Sequence, residues 1–171
     1  YLKLKMKQKL VILGGGESGV GAAILGQQKG YDVFVSDYGA IKDTYAQVLS
    51  SNQINWEDRG HTVSEIIAAD IVVKSPGIAD VAPIVCSLKQ AGVKVISEIE
   101  FAAQFTDATI VAITGSNGKT STASLTYALL KNDLNVALGG NIGDSFAAQV
   151  AAPGYENFVL ELSSFQLDGI E

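Results

Sequence analysis

Short apolar runs rich in valine and isoleucine recur along the chain, separated by longer stretches of mixed polarity. They are "LVILG" (10–14), "DVFVSD" (32–37), "DIVVKS" (70–75), "VKVIS" (93–97), "TIVAITG" (109–115), "NVALGG" (135–140) and "NFVLELS" (157–163). Runs this short, with little alternation of polarity, are expected of strands covered on both faces, as in a parallel sheet flanked by helices. The stretches between them predict helices near 18–30, 39–50, 62–68, 81–91, 98–106, 118–131 and 143–150, and "SNQINW" (51–56) could add a short edge strand. Strands alternating with helices imply an α/β fold. In the helix after Gly118, the spacing of Leu125, Ala128 and Leu129 predicts one face suited to packing on a sheet.

Two glycine-rich turns interrupt this rhythm, each after a strand and before a helix. The first, "LVILGGGESGVGAA", contains G-x-G-x-x-G as Gly14, Gly16 and Gly19. Glycine there allows a tight turn, close approach of backbone to a diphosphate, and close helix–strand packing, while the helix N-terminus supplies unpaired N–H donors. Asp37 ends the next strand, where a carboxylate can accept from a sugar hydroxyl. "KSPGIA" (74–79) ends another strand, and Ser75 would face the same crevice. A nucleotide diphosphate is the functional reading; a dinucleotide cofactor and a nucleoside-diphosphate substrate both remain open, as does a plain tight turn.

The second turn, "AITGSNGKTST" (112–122), carries Gly118-Lys119-Thr120 but has Gly115 in place of the earlier glycine of a common phosphate loop. Backbone donors can still converge on an anion there, Lys119 supplies a point charge, Thr120 offers a hydroxyl to Mg²⁺, and Asn117 can support the turn. Glu161, ending the seventh run, is the candidate acid to complete a metal site, and "GGNIG" (139–143) could bring Asn141 to the same crevice. Two such turns suggest two sheets with a boundary near Ser97. The expectation is a Rossmann-like domain over 1–97 and the first part of a P-loop-type α/β ATPase domain over 98–171.

Composition narrows the partners. Eighteen acidic against 12 basic residues give a formal charge of −6, which does not suit a nucleic-acid backbone, so any phosphate site must be built locally. One cysteine, Cys86, excludes an internal disulfide and suits a reducing compartment. No apolar run is long enough to span a bilayer. The N-terminal "YLKLKMKQKL" passes straight into a strand, and the expected location is the cytoplasm. Cys86 and Trp56 are expected to serve packing, and His61 to be a surface or helix-start residue.

"AITGSNGKTST", "GGNIG" and "LELSSFQLD", in this order and behind a glycine-rich module containing "SPGI", resemble the Mur ligase family. "ELSSFQL" discriminates most, since "GSNGKT" alone also suits folylpolyglutamate synthetases. The resemblance runs from Lys9 to Asp168. It implies an ATP- and Mg²⁺-dependent amide ligase of peptidoglycan precursor synthesis, adding D-glutamate to UDP-N-acetylmuramoyl-L-alanine through an acyl phosphate. The partners implied are those small molecules, with a monomeric protein and no membrane insertion.

By resemblance, Gly16, Glu17 and Ser18 would line the substrate diphosphate, with Asp37, Tyr38 and Ser75 near the uridine. Gly115, Ser116, Asn117, Gly118, Lys119, Thr120, Ser121 and Thr122 would take the ATP phosphates. Thr120 and Glu161 would share Mg²⁺, with Lys119 and Glu161 as the catalytic pair. Asn141, Ser163 and Gln166 would approach the muramoyl-alanine end. Two departures stand out: Glu17 puts an acid where a diphosphate should lie, repelling it unless turned outward, and Gly39 offers no side chain after Tyr38. The resemblance also implies further sequence carrying a second-metal histidine, a carbamylated lysine and an amino-acid-binding domain, without which this chain would be inactive. An NAD-dependent oxidoreductase and a non-catalytic UDP-sugar-binding module are the alternatives from other classes.

Overall fold

A computed structural model of the chain describes residues 7–152 and 154–167. Along it lie β1 (Lys9–Leu13), α1 (Glu17–Gln28), β2 (Asp32–Ser36), α2 (Asp43–Ser51), β3 (Asn55–Glu57), α3 (Val63–Ile67), β4 (Ile71–Lys74), α4 (Pro83–Gln90) and β5 (Lys94–Ser97). There follow α5 (Glu98–Ala103), β6 (Thr109–Ile113), α6 (Lys119–Leu130), β7 (Val136–Gly140), α7 (Phe146–Ala151), β8 (Asn157–Glu161) and α8 (Ser164–Leu167). The outermost residues of the expected units, 1–6 and 168–171, lie outside the described residues. No helix among the described residues is long and apolar enough to cross a membrane.

All the strand pairs are parallel, in two sheets ordered β3-β2-β1-β4-β5 and β6-β8-β7. The first is a Rossmann-like arrangement whose strand order reverses between β1 and β4, so the loops leaving those two strands diverge and open a crevice at their carboxyl ends. β1 is central, and Leu10, Val11, Ile12 and Leu13 are all fully buried. Leu10 and Ile12 join a core with Leu25 of α1 and Phe101 of α5. Val11 and Leu13 pack on the other face against Ile66, Val85 and Leu88 from α3 and α4. Coverage on both faces is why this strand reads as an unbroken apolar run.

The core on the α1 side continues into the second sheet and α7, where Ala137, Phe158 and Leu160 of the strands and Phe146 and Ala147 of the helix belong to the same cluster. α7 makes this join, packed against α1 and α5. Its approach depends on a glycine: a Cβ at Gly21 would lie 2.4 Å from Ser145 Oγ and 2.9 Å from the Ala148 nitrogen.

Several expectations shift. The helix expected over 39–50 starts at Asp43, because Asp37 Oδ1 accepts from the Gly39 N–H and holds the chain in a turn. The helix expected over 143–150 starts at Phe146, after Gly143 in a left-handed conformation (φ 70°) and a Ser145 cap that accepts from the Ala148 N–H. "SNQINW" contributes Asn55 and Trp56 to the edge strand β3.

The apolar face expected on α6 is not the one that packs. Leu125 and Leu129 are 62% and 66% exposed, whereas Ala123 is fully buried and Tyr127 and Leu130 pack beside it against β7 and β8. Thr120, on the same side as Ala123 and Tyr127, is tied to Glu161, and that tie sets the helix rotation. Cys86 is likewise exposed instead of packed, since Ile84, Val85 and Leu88 form the buried side of α4. Among the described residues β6 pairs on one side only, and its Ile110 and Val111 are more than a third exposed.

Candidate functional site

The first turn is built by contacts that leave its mouth open. Gly14 donates to the Ser36 carbonyl, and a Cβ on Gly19 would sit 1.9 Å from the Gly14 oxygen, so α1 can start this close to β1 only with glycine there. A Cβ on Gly16 would meet nothing within 4 Å. Gly16 caps α1, and no side chain takes its cap hydrogen bond, which leaves first-turn N–H groups available to an anion. Ser75 donates its N–H to the Leu13 carbonyl and lies against Gly14, so β1 and β4 present their ends side by side.

Asp37 lies beside this turn, and both its oxygens are engaged there: Oδ2 accepts from the Gly15 N–H (2.7 Å) and Oδ1 from the Gly39 N–H (2.8 Å). A carboxylate oxygen has more than one lone pair, so these bonds fix its orientation without excluding a sugar hydroxyl. Tyr38 is 79% exposed at the rim, its ring 5.8 Å from that of His61. Ser18 is half-buried at the start of α1. Glu17 turns away from the mouth, its Oε1 accepting from the Ser145 N–H at 3.2 Å.

Behind Tyr38 lies a polar cluster that sequence reasoning missed. Ser36 Oγ, fully buried, donates to Glu57 Oε1 (2.6 Å) and lies 2.7 Å from His61 Nδ1. A hydroxyl has one hydrogen, so both bonds form when His61 Nδ1 carries the other. Thr62 gives its N–H to Glu57 Oε1 (2.7 Å) and its hydroxyl to Oε2 (2.5 Å). Burial pushes the Glu57 carboxyl up, but hydrogen bonds from Ser36 and Thr62, helped by the charge of His61, outweigh it and hold the group below its ordinary value. His61 does stand at a helix start; its inward bond had no local signal, because the partner is 25 residues away.

The second sheet places β8 between β6 and β7, so three sequence-distant segments meet at its carboxyl end. Ile113 and Gly140 are both in register with Glu161. The loop after β6 turns on Gly115 (φ 147°) and Gly118 (φ 74°), and Gly118 caps α6 in a left-handed conformation that a β-substituted residue rarely adopts. Lys119 Nζ donates back to the Gly115 carbonyl at 2.7 Å, placing its charge across the loop. Ser116, Asn117, Ser121 and Thr122 are exposed around it. Thr120 Oγ1 donates to Glu161 Oε2 at 2.8 Å, and Glu161 is only 5% exposed. The Asn141 N–H donates to the Glu161 carbonyl at 2.9 Å, which holds "GGNIG" beside the acid.

Ser163 and Gln166 form a reciprocal cap. Gln166 Oε1 accepts from the Ser163 N–H (2.9 Å) and hydroxyl (3.1 Å), while Ser163 Oγ accepts from the Gln166 N–H (3.3 Å). This is a capping box, so the S-x-x-Q of "SSFQ" starts α8 directly after the strand bearing Glu161. Gln166 also borders a cleft of about 600 Å³ that runs to Lys74, Pro76, Gly77 and Ser97 of the first sheet. Beside that cleft Glu98 is 5% exposed, and its Oε1 accepts from Ser145 Oγ (2.8 Å) and the Ala147 N–H (2.6 Å). Burial raises its carboxyl above the ordinary value; the Ala147 and Ser145 bonds counter this, and the negative charge of Glu17 adds to it.

A G-x-G-x-x-G turn at the switch point of one parallel sheet, with a Gly-Lys-Thr loop facing a strand-end acid on a second, defines an α/β protein whose two turns have the geometry suited to phosphate groups. Residues 9–84 match the MurD N-terminal domain and residues 113–170 the Mur ligase middle domain. The chain belongs to the Mur ligase family.

Over 97% of its length the chain is 57% identical to the UDP-N-acetylmuramoylalanine--D-glutamate ligase of Christiangramia forsetii, and over 95% it is 55% identical to that of Bacteroides thetaiotaomicron. It spans 38% and 37% of those two proteins, a little over a third of each. Among solved structures it is similar to the UDP-N-acetylmuramate:L-alanyl-gamma-D-glutamyl-meso-diaminopimelate ligase of Neisseria meningitides, with a TM-score of 0.60, 20% identity, and coverage of 91% of this chain and 52% of that one. A pseudomurein peptide ligase type C from Methanothermus fervidus gives a TM-score of 0.57 at 27% identity, over 92% of this chain and 33% of that one.

Proposed function

We propose that this chain is the substrate- and phosphate-binding part of an ATP-dependent ligase that joins D-glutamate to UDP-N-acetylmuramoyl-L-alanine. The contact between Thr120 and Glu161, 41 residues apart and 2.8 Å from each other beside the Gly115–Thr122 loop, carries the reading. A hydroxyl and a carboxylate at the mouth of a phosphate loop are hard oxygen donors. Among the described residues no group of three or more acidic, histidine or cysteine side chains could hold a metal. So small a donor set suits Mg²⁺, which completes its shell with phosphate oxygens and water.

In this reading residues 1–97 hold the UDP part at Gly16, Glu17 and Ser18, with Asp37, Tyr38 and Ser75 toward the uridine. Residues 98–171 hold ATP over Gly115–Thr122, and Asn141, Ser163 and Gln166 face the muramoyl-alanine end. Bound Mg²⁺ would neutralise phosphate charge. Lys119 exchanges its bond to the Gly115 carbonyl for the outer phosphates and stabilises the charge that develops on them. The substrate carboxylate takes the terminal phosphoryl group from ATP, releasing ADP. The amine of D-glutamate then attacks the acyl carbon, expels inorganic phosphate and loses a proton to form the amide. The Glu17 carboxylate, engaged with Ser145, is turned from the diphosphate path, which leaves the backbone of Gly16, Glu17 and Ser18 to make that contact. We place the protein in the cytoplasm as a monomer.

The test is phosphate release by the polypeptide as its gene encodes it, given ATP, Mg²⁺, UDP-N-acetylmuramoyl-L-alanine and D-glutamate. Release that depends on D-glutamate is expected. Release equal with and without the amino acid overturns the proposal.

A further inference from the structure

Glu17 occupies the first helical position of α1, where an acid ordinarily folds back over its own helix N-terminus and gains from the dipole. Instead its carboxylate reaches across to the Ser145 N–H. Ser145 ends the loop that begins at Asn141, the Asn141 N–H is bonded to the Glu161 carbonyl, and Glu161 Oε2 accepts from Thr120. A continuous line of bonded or chain-linked groups therefore joins the first glycine turn to the phosphate loop. Glu98 steadies its middle by holding the Ser145 hydroxyl and the Ala147 N–H, and Gly21 lets α1 lie against α7.

We propose that Glu17 transmits occupancy of the first turn to the second, so that a nucleoside diphosphate at Gly16–Ser18 tightens binding of Mg²⁺-nucleotide at Thr120–Glu161. The inference rests on the reading that both turns bind phosphate. Glu17 has two alternatives: its carboxylate accepts from Ser145, or it swings back over the first-turn N–H groups of α1. An anion at the turn needs those same N–H groups and repels the same charge, so it binds the arrangement with Glu17 on Ser145 and increases its population. That arrangement pins the loop carrying Asn141 and, through it, the strand end bearing Glu161. Linkage makes the effect reciprocal: a nucleotide at the second site tightens the first by the same factor.

Calorimetry on the polypeptide as its gene encodes it tests this, with UDP as the probe of the first turn and Mg²⁺ plus a non-hydrolysable ATP analogue as the probe of the second. Each is titrated alone and with the other saturating. Wild-type protein is expected to bind the analogue at least about fivefold more tightly with UDP present, the lower end of ordinary coupling. Glu17→Gln keeps an acceptor for Ser145 but removes the charge that competes with the anion. It should bind UDP at least as well and bring the ratio within about twofold of one. Glu17→Ala should also lose the coupling. A fivefold ratio retained in Glu17→Gln, or a wild-type ratio of one with both ligands bound, overturns the inference and leaves the proposed function standing. Failure of wild type to bind either probe overturns both.

Discussion

Replacing Glu98 separates two contributions that the structure superimposes at one carboxylate. Its Oε1 serves the Ser145 hydroxyl and the Ala147 N–H at a site that is 5% exposed, so Glu98→Ala leaves two donors without that acceptor. A buried unsatisfied donor costs about 1–3 kcal/mol, and relief from burying a carboxylate offsets part of the sum, so Glu98→Ala should destabilise by about 2–4 kcal/mol. Glu98→Gln keeps an acceptor oxygen while removing the charge, and should stay within about 1 kcal/mol of wild type near neutral pH.

The pH dependence distinguishes them further. The folded value of Glu98 is raised above its ordinary 4.5, so the native state holds this proton where the unfolded chain has released it. The group's contribution to stability is fully present below 4.5 and is lost as pH rises through the raised value. Urea denaturation followed by circular dichroism from pH 4 upward measures both effects. Wild type should lose stability relative to Glu98→Gln across that window. Parallel curves for the two, or a cost for Glu98→Ala below about 0.5 kcal/mol, would refute the reasoning.

The Glu57 cluster has the opposite sign: its folded value lies below 4.5, so its contribution is present above 4.5 and is lost as pH falls through the lowered value. Ser36→Ala should weaken that acid-side loss and cost about 1 kcal/mol at neutral pH, read by thermal melts at several pH values. Gly21→Val places a Cβ against Ser145 and the Ala148 backbone, and should destabilise by about 1–3 kcal/mol in the same denaturation assay. Lys119→Ala removes one bond within an exposed loop. Its melting curve should shift by the equivalent of no more than about 0.5 kcal/mol, while calorimetric binding of the ATP analogue falls by tenfold or more, about 1.4 kcal/mol.

The elements that sequence revealed best are those whose neighbours are dictated locally. β1 reads as an apolar run because helices cover both its faces, and Gly19 reads as part of a turn because its close contact, the Gly14 oxygen, lies within the same strand–loop–helix unit, whereas the approach of Ser75 to Gly14 joins segments far apart in sequence. Helix starts were less legible, since side chains such as Asp37 and Ser145 hold several residues in turns first. The α6 face was misjudged because leucine spacing gives a stripe without saying which stripe meets the sheet, and the tie from Thr120 to Glu161 chose the other. Ser97 accepts from the Glu100 N–H and starts α5, a local S-x-x-E signal that the reading of the sequence did not use. Glu98 between them gave no such sign. Its partners are 47 and 49 residues away, so its burial follows only from how α7 docks.

Among the described residues β6 is paired on one side only, which bears on what its open side can accept. Its sequence, Thr-Ile-Val-Ala-Ile, contains no lysine or proline to discourage a second chain from aligning along its open side, and Leu125 and Leu129 stand exposed on the helix that follows. Exposed, apolar and unguarded edges recruit one another. The open side of β6 is therefore where a further strand, from this polypeptide or another, would add backbone hydrogen bonds to the second sheet.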